Sequence, residues 1–201
     1  MSDEVTSKRE RVYRKRKRAE LELATRERIT EAAVALHQTL GPARTSVKAI
    51  AERAGVQRGT VYRHFPDTET LFEACSASYS SRHPEPDAAA WAAIVAPDAR
   101  LRCALSELYA WYSEVEPMLS KVIRDIEELP QGMQQEFAAD SAGMVEVLLA
   151  GRPQRGRART RVSAAIAHAI EFPTWHSLTR AHGLRDNEAL RLMVAMVDAA
   201  G

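Results

Sequence analysis

The chain has 201 residues, 45% of them hydrophobic, and a formal net charge of +1. Its length allows one or two hydrophobic cores, and abundant Ala, Leu, Glu and Arg with few glycines predict an all-α fold. The absence of an apolar run of about 18 residues excludes a membrane span, and without a signal-peptide pattern we expect a cytoplasmic protein. Cys75 and Cys103 lack CxxC spacing, so we expect buried, reduced thiols rather than a redox switch.

A basic run opens the chain at residues 8–18, KRERVYRKRKR. Its self-repulsion and few apolar residues predict a flexible arm over residues 1–20. Such an arm can follow the phosphate backbone of DNA or enter its minor groove, and a passive solubilising tail is the alternative. The arm residues that we expect to contact DNA are Arg14, Lys15, Arg16, Lys17 and Arg18.

The chain as a whole is likewise basic toward its amino-terminal end and acidic over the remainder. Residues 1–65 contain 15 Lys and Arg against 8 Asp and Glu, a net charge of +7, whereas the remainder has 13 against 19, a net charge of −6. A basic front orients a molecule toward a polyanion, speeds the encounter and makes binding sensitive to salt.

A first helix is predicted from about Leu21 to Leu40, where Gly41 and Pro42 stop it. Its core-facing stripe is predicted to contain Ile29, Ala32, Ala33, Leu36 and Leu40.

Residues 45–65, TSVKAIAERAGVQRGTVYRHF, contain two short helical patterns separated by a glycine. Apolar residues at 47, 50, 51 and 54 give the first pattern one apolar face, and Thr45 is placed to cap its start. Gly55 can adopt the left-handed backbone that ends one helix and turns sharply into the next, while Val56 enters the shared core. The pattern predicts a helix-turn-helix, and an ordinary helical hairpin with its polar side in water is the alternative.

In the second pattern Val61 and Phe65 face inward, which leaves a polar face suited to nucleic acid. Arginine can bind a guanine edge or a phosphate, and tyrosine and histidine can donate to phosphate oxygens. Gly59 lacks a side chain, so the backbone can approach a phosphate closely. The residues here that we expect to contact DNA are Thr45, Ser46, Gln57, Arg58, Gly59, Thr60, Tyr62, Arg63 and His64.

The stretch from Ala49 to Val56, AIAERAGV, and the ending Tyr62-Arg63-His64-Phe65 closely resemble the amino-terminal domain of the TetR family of bacterial transcriptional regulators. Two positions depart from the family pattern. Gln57 stands where the family usually has a capping serine, and glutamine is a poor cap. Thr68 stands where the family usually has a lysine that contacts phosphate, so that charge must come from elsewhere in the chain.

After the motif, Asp67 is placed to cap a fourth helix that runs to about Ser81, and the breaker-rich residues 82–87 mark a domain boundary. We therefore predict an arm at 1–20, a DNA-binding domain at 21–82 and a helical domain at 88–201. Helices of the last domain are predicted at 88–95, 98–115, 117–128, 132–149, 157–182 and 186–199. Pro173 should break the fifth of these near Glu171, and residues 151–156, GRPQRG, should form a loop.

Aromatic residues cluster in two predicted helices of the carboxy-terminal domain. Core packing at helical spacing explains each one singly, whereas together with nearby polar groups they also suit a cavity for a small effector. The resemblance implies the same, because in the TetR family the carboxy-terminal helical domain contains the effector pocket. The candidate effector-binding residues are Tyr109, Tyr112, Met118, Arg124, Glu171, Trp175 and His176.

The last helix, residues 187–200, is apolar around much of its circumference, and residues 163–169 are rich in alanine. A helix that is apolar on two sides needs two partners, and small residues allow helices to approach closely. We therefore expect a four-helix seam between two copies of the chain, as the resemblance also implies. A monomeric bundle that buries the same surface internally is the alternative.

These observations predict a homodimeric transcriptional repressor that binds a pseudo-palindromic operator in double-stranded DNA and is released by a small-molecule effector. The alternatives are an effector-independent DNA-binding protein, constitutive or architectural, and an acidic helical interaction module. We expect no enzymatic activity, cofactor or metal, because the histidines form no HExxH or Cys-His pattern. A metal site would require His168, Glu171 and His176 to come together.

Overall fold

The computed structural model describes residues 2–201, with side chains from Arg11 onward, and every regular element over these residues is helical. The predicted all-α fold is therefore confirmed. Two compact units separate between Arg82 and His83, at the start of the breaker-rich loop. Both thiols are free, but only Cys75 is buried; Cys103, which we expected to be buried, is partly exposed.

The amino-terminal unit is built from four helices over its described residues. These are α1 (Ser2–Leu40), α2 (Val47–Ala54), α3 (Arg58–His64) and α4 (Thr68–Ser80). Helix α1 packs against α2 and α4, and α2 packs against α3. The shared core contains Ile29, Ala33, Ile50, Ala51, Val61, Phe65, Leu71 and Cys75.

Helix α1 begins at Ser2 and not near Leu21, so the prediction of a separate flexible arm is wrong for this structure. Acids follow the basic run at a spacing of four residues, so that Arg16 contacts Glu20 at 3.0 Å and Arg18 contacts Glu22 at 3.2 Å. Each such i,i+4 pair stabilises a helix by about 0.2–0.5 kcal/mol, which offsets part of the self-repulsion. At the other end Leu40 is 42% exposed, because it lies beyond the reach of the core that covers Ile29.

Caps define the short helices around the turn. Ser46, and not Thr45 as predicted, caps α2 by accepting a hydrogen bond from the Ala49 amide at 3.1 Å. Thr45 instead donates its hydroxyl hydrogen to the Gly41 carbonyl at 2.7 Å. Gly55 ends α2 with φ of +65°, the left-handed conformation predicted for it, and the Val56 amide donates to the Ala51 carbonyl. Asp67 caps α4 as predicted.

The carboxy-terminal unit contains four longer helices, a short helix before them and a second short helix between the last two. Its α-helices are α5 (Ala88–Ala92), α6 (Pro97–Arg124), α7 (Gln131–Leu149), α8 (Gly156–Ile170), α9 (Phe172–His176) and α10 (Asp186–Ala199). A 3₁₀ turn at Ile126–Glu128 follows α6, and a π turn at Ser177–Ala181 follows α9. The core between these helices includes Leu101, Leu105, Tyr109, Leu148, Ile166, Trp175 and Val194.

The two prolines inside predicted helices behave differently. Pro173 ends α8 and opens α9, as predicted, because a proline is tolerated in the first turn, where no helical amide bond is lost. Pro117 does not end a helix: α6 passes through it, and the predicted break between residues 115 and 117 is wrong. Val115 and Met118 are buried on either side of it, so core packing offsets the lost hydrogen bond.

Candidate nucleic-acid interface and effector cavity

Helix α3 is held by two apolar anchors and presents a polar face. Val61 and Phe65 are 1% and 2% exposed, as the spacing predicted. Arg58, Tyr62 and Arg63 are exposed, and Thr60 is half-buried. The face therefore offers two guanidinium groups and a phenol, which are donors suited to phosphate oxygens and base edges.

The start of α3 is open. Gln57 has an extended backbone, and its side chain makes no capping hydrogen bond, as its poor capping ability predicted. A Cβ atom built on Gly59 would meet no atom within 4 Å, so nothing in the fold itself requires glycine there. A glycine that packing does not demand, in the first turn of an exposed helix, leaves room for another molecule to approach the backbone.

The end of α3 is fixed by a residue that the sequence analysis missed. Arg26 of α1 donates from Nη1 to the His64 carbonyl at 2.7 Å, and its guanidinium lies 4.2 Å from the centroid of the Phe65 ring. The signal was present, because Arg26 precedes Ile29 and Ala33 by three and seven residues and so falls on the inward stripe of α1.

His64 is half-buried rather than outward as expected. Its Nε2 atom is buried, and no hydrogen-bond partner for it exists among the described residues. Desolvation, with the nearby positive charges of Arg63 and Arg26, lowers its pKa, so the ring is neutral at pH 7. In the free protein this side chain is therefore less available to DNA than its neighbours on α3.

At the start of α2 two predicted contact residues are engaged with the backbone. The Thr45 hydroxyl is used in its bond to Gly41, whereas the exposed Ser46 oxygen accepts from Ala49 and keeps its own hydrogen to donate. Thr68, at the first position of α4, is exposed and uncharged. Beside it, two hydrogen bonds from Thr70 lower the pKa of Asp67, which keeps a negative charge there.

The basic residues of α1 are exposed on a helix and not on an extended arm. Arg16 and Arg18 form the ion pairs with Glu20 and Glu22, while Lys15 and Lys17 have no ion pair or hydrogen bond within the described chain. Among residues 11–18, these two lysines therefore have a charge that no described side chain compensates.

The carboxy-terminal unit contains a cavity of about 190 Å³ between α6, α7 and the break at Pro173. Two of the seven predicted effector residues, Tyr112 and Glu171, line it. The list of candidate effector-binding residues did not include Trp111, Leu119, Ile123, Phe137, Asp140, Ser141, Met144 and Phe172 of its wall. The signal on α7 was a stripe at residues 137, 140, 141 and 144, the spacing of one helix face.

The other five predicted effector residues have structural partners away from the cavity. The Tyr109 hydroxyl donates to the Ala169 carbonyl at 2.8 Å, and the Trp175 indole donates to Asp186 at 3.0 Å. Met118 is buried in α6. Arg124 contacts Asp125 at 2.6 Å, and His176 lies 3.5 Å from Glu116. These five do not line the cavity. Helical spacing alone does not separate core packing from a cavity wall.

The three residues of the possible metal site do not come together. His168 lies 3.5 Å from Glu171, whereas His176 contacts Glu116. Within the part of the chain that the structure describes, no group of three His, Cys, Asp or Glu side chains could hold a metal ion. Across residues 2–201, no helix has the length and apolar character needed to cross a membrane.

Helices α8 and α10 pack against each other and keep small or apolar residues on outer faces. On α10 Leu192 is 47% exposed, and Ala195 and Ala199 follow it at helical spacing, also exposed. On α8 Ala164 is exposed and Ala167 half-buried. These faces have the composition expected of a close helix-to-helix contact.

Residues 29–75 match the family described as bacterial regulatory proteins, tetR family. Among solved structures, a TetR-like transcriptional regulator from Rhodococcus sp. RHA1 has a TM-score of 0.65 and 19% identity, over 88% of this chain and 96% of that chain. A tetR-family transcriptional regulator from Streptomyces coelicolor has a TM-score of 0.58 and 19% identity, over 88% and 80%. A complex of SmeT with triclosan has a TM-score of 0.57 and 23% identity, over 88% and 91%. At these identities the structural likeness establishes a shared fold.

Proposed function

Because this chain belongs to the TetR family of bacterial regulatory proteins, we propose that it is a homodimeric repressor that a small effector releases from its operator. The observation that carries the proposal is α3, which is anchored by Val61 and Phe65 and presents Arg58, Tyr62 and Arg63 outward beside an open Gly59. Arg58 and Thr60 are assigned to base edges, and Tyr62, Arg63 and the lysines of α1 to phosphates. Such a regulator acts in the cytoplasm, where bacterial DNA lies.

Two copies joined through α8 and α10 would place two α3 helices on one duplex. Half-sites about 34–36 Å apart, one turn of DNA, would then form a pseudo-palindrome. The exposed Leu192, Ala195 and Ala164 support this assembly, because a close four-helix contact needs small residues and would bury the leucine.

Effector control is the part of the proposal that the cavity supports. A carboxy-terminal unit packed without a cavity would favour the alternative, an effector-independent DNA-binding protein. The cavity of about 190 Å³ favours the effector-responsive protein. Release requires that the effector bind the conformation unable to hold both half-sites more tightly than the operator-bound one, and couplings of this kind amount to about 5–150-fold.

A gel-shift experiment on the DNA beside the protein's own gene tests the proposal. We expect a shifted band that weakens about tenfold or more in Arg63→Ala, because a charge-assisted contact to phosphate contributes about 1.5–3 kcal/mol. Arg102→Ala, which removes an exposed arginine of α6, is the matched control and should bind as the wild type does. Equal binding by both variants would contradict the assignment of α3.

Dimerisation is tested by analytical ultracentrifugation of Leu192→Glu. We expect a monomer, because a charge buried without a partner opposes the contact, and a parallel loss of operator binding. Val95→Glu is the control, since Val95 is 89% exposed in a loop of the same unit and should stay dimeric when mutated. A Leu192→Glu protein that remains dimeric and binds DNA places the contact elsewhere.

A further inference from the structure

The interior of the cavity is apolar and aromatic. Its wall contains aliphatic side chains of α6 and α7 together with the rings of Trp111, Tyr112, Phe137 and Phe172. Tyr112 and Phe172 meet edge to face with 5.4 Å between their ring centroids, and Trp111 lies 5.5 Å from Tyr112. Three of the four rings, those of Trp111, Tyr112 and Phe172, therefore form one continuous cluster.

The polar atoms of these rings are already engaged. The Tyr112 hydroxyl donates to the Ile170 carbonyl, and the Trp111 indole donates to the His83 carbonyl at 3.2 Å. What both side chains can offer a ligand is ring carbon, whose face is electron-rich and attracts cations.

The charged residues that line the cavity all have the same sign. They are Glu85, Asp140 and Glu171, and all three side chains are exposed, which places the charges at the rim rather than in the interior. Among the lining residues there is no Lys, Arg or His. Glu171 lies 3.5 Å from the His168 ring, whereas Glu85 and Asp140 have no ion pair or hydrogen bond in the part of the chain that the structure covers.

Two of the rim acids, Glu85 and Asp140, repel each other. The pKa of Glu85 is raised, first by desolvation and then by the negative charges of Asp140 and Glu136. A positive charge placed between Glu85 and Asp140 would relieve this repulsion, and a carboxylate or phosphate would increase it.

We propose that this cavity binds an amphipathic organic cation, with its apolar body among the rings of Trp111, Tyr112 and Phe172 and its cationic head at Glu85 and Asp140. This assignment rests on the proposed function in taking the cavity as the effector site. The volume of about 190 Å³ lies below the 300–1,000 Å³ typical of ligand pockets, so the ligand is small. Anionic ligands are disfavoured by the rim, and a neutral apolar ligand would leave the acids unused.

Calorimetric titration with three probes of similar size tests the charge requirement. The probes are benzyltrimethylammonium, its neutral isostere neopentylbenzene, and 4-tert-butylbenzoate. We expect the cation to bind about tenfold or more tightly than the isostere and the anion not to bind. The Asp140→Asn, Glu85→Gln double variant should weaken the cation about five- to tenfold and leave the isostere unchanged, since each exposed pair contributes a modest amount.

Glu146→Gln is the matched control, because Glu146 is an exposed acid of the same helix, α7, and does not line the cavity. Thermal unfolding of each variant establishes that it is folded. Equal affinity for cation and isostere, preferred binding of the anion, or no binding by any probe overturns the inference. These titrations contain no DNA, so their failure is distinct from failure of the gel shift, which tests the regulator itself.

Discussion

The two units place their charged residues in opposite ways. The amino-terminal unit presents cations on exposed helix faces, at α3 and along α1, over a core that is mostly apolar. The carboxy-terminal unit instead arranges acids around the opening of an apolar cavity. A flat basic surface suits a long polyanion of uniform shape, whereas a cavity with a charged rim suits a small molecule with a polar end. Under the proposed function, the DNA contacts therefore lie on the surface of one unit and the effector site inside the other.

Acid should produce the largest difference between the two units, because it should lower the stability of the amino-terminal unit through His37. Burial lowers the pKa of His37 from its ordinary 6.5 to about 4, and its ring stacks on Phe72 with 5.1 Å between centroids. The unfolded chain binds the proton first, so stability is fully present above pH 6.5 and is lost as the pH falls toward 4. The loss attributable to His37 is at most about 3 kcal/mol.

Urea unfolding from pH 7 to pH 4 measures this loss. All three tryptophans lie in the carboxy-terminal unit, so fluorescence reports that unit and circular dichroism reports both. His37→Phe, which keeps a stacked ring, should flatten the acid-dependent loss seen by circular dichroism. His182→Gln, an exposed histidine of the other unit, should leave it as in the wild type. An unchanged loss in His37→Phe assigns the acid sensitivity to other groups.

Glycine substitutions should separate folding from DNA binding. Gly59→Ala meets no atom of the protein, so stability should stay equal or rise by up to about 1 kcal/mol, as for alanine in a helix. Operator affinity should fall about tenfold, because the new methyl group holds the duplex away from the backbone amides. Gly143→Ala in α7, which also meets no atom, should gain the same stability without loss of affinity. Equal affinities in a gel shift would show that no phosphate approaches Gly59.

The smallest expected effect concerns the salt dependence of binding. Replacing both Lys15 and Lys17 by alanine should lower the slope of log affinity against log salt by up to about 1.8, because each phosphate contact contributes about 0.9. Arg102→Ala should leave the slope unchanged. A slope that the lysine variant does not alter would make the basic end of α1 a passive extension.

The turn and both short helices of the DNA-binding motif were predictable because their determinants are local. Gly55 needs a left-handed backbone, and Val61 and Phe65 are spaced for one face, whatever the rest of the chain does. The path of α6 through Pro117 was not predictable, since it depends on the burial of Val115 and Met118 in the folded unit. The cavity wall was only partly predictable for the same reason. Phe137 and Asp140 resemble surface residues until α7 is placed opposite Tyr112 and Glu171.

The start of α1 shows a different kind of failure. Composition predicted a flexible arm because like charges repel, but Glu20 and Glu22 lie four residues beyond Arg16 and Arg18 and pair with them. A net charge averaged over a segment conceals such spacing. The consequence for any DNA contact is that a helix, unlike a flexible arm, presents its lysines at fixed separations.

Arg26 connects this part of α1 to the end of α3. It joins α1 to the carbonyl of His64 and covers the Phe65 ring, so the end of α3 is fastened to the same helix that carries Lys15 and Lys17. Eleven residues of helix separate Lys15 from Arg26, a distance of about 16 Å. Under the proposed function, a phosphate bound by these lysines would therefore fix the position along the duplex at which α3 can lie.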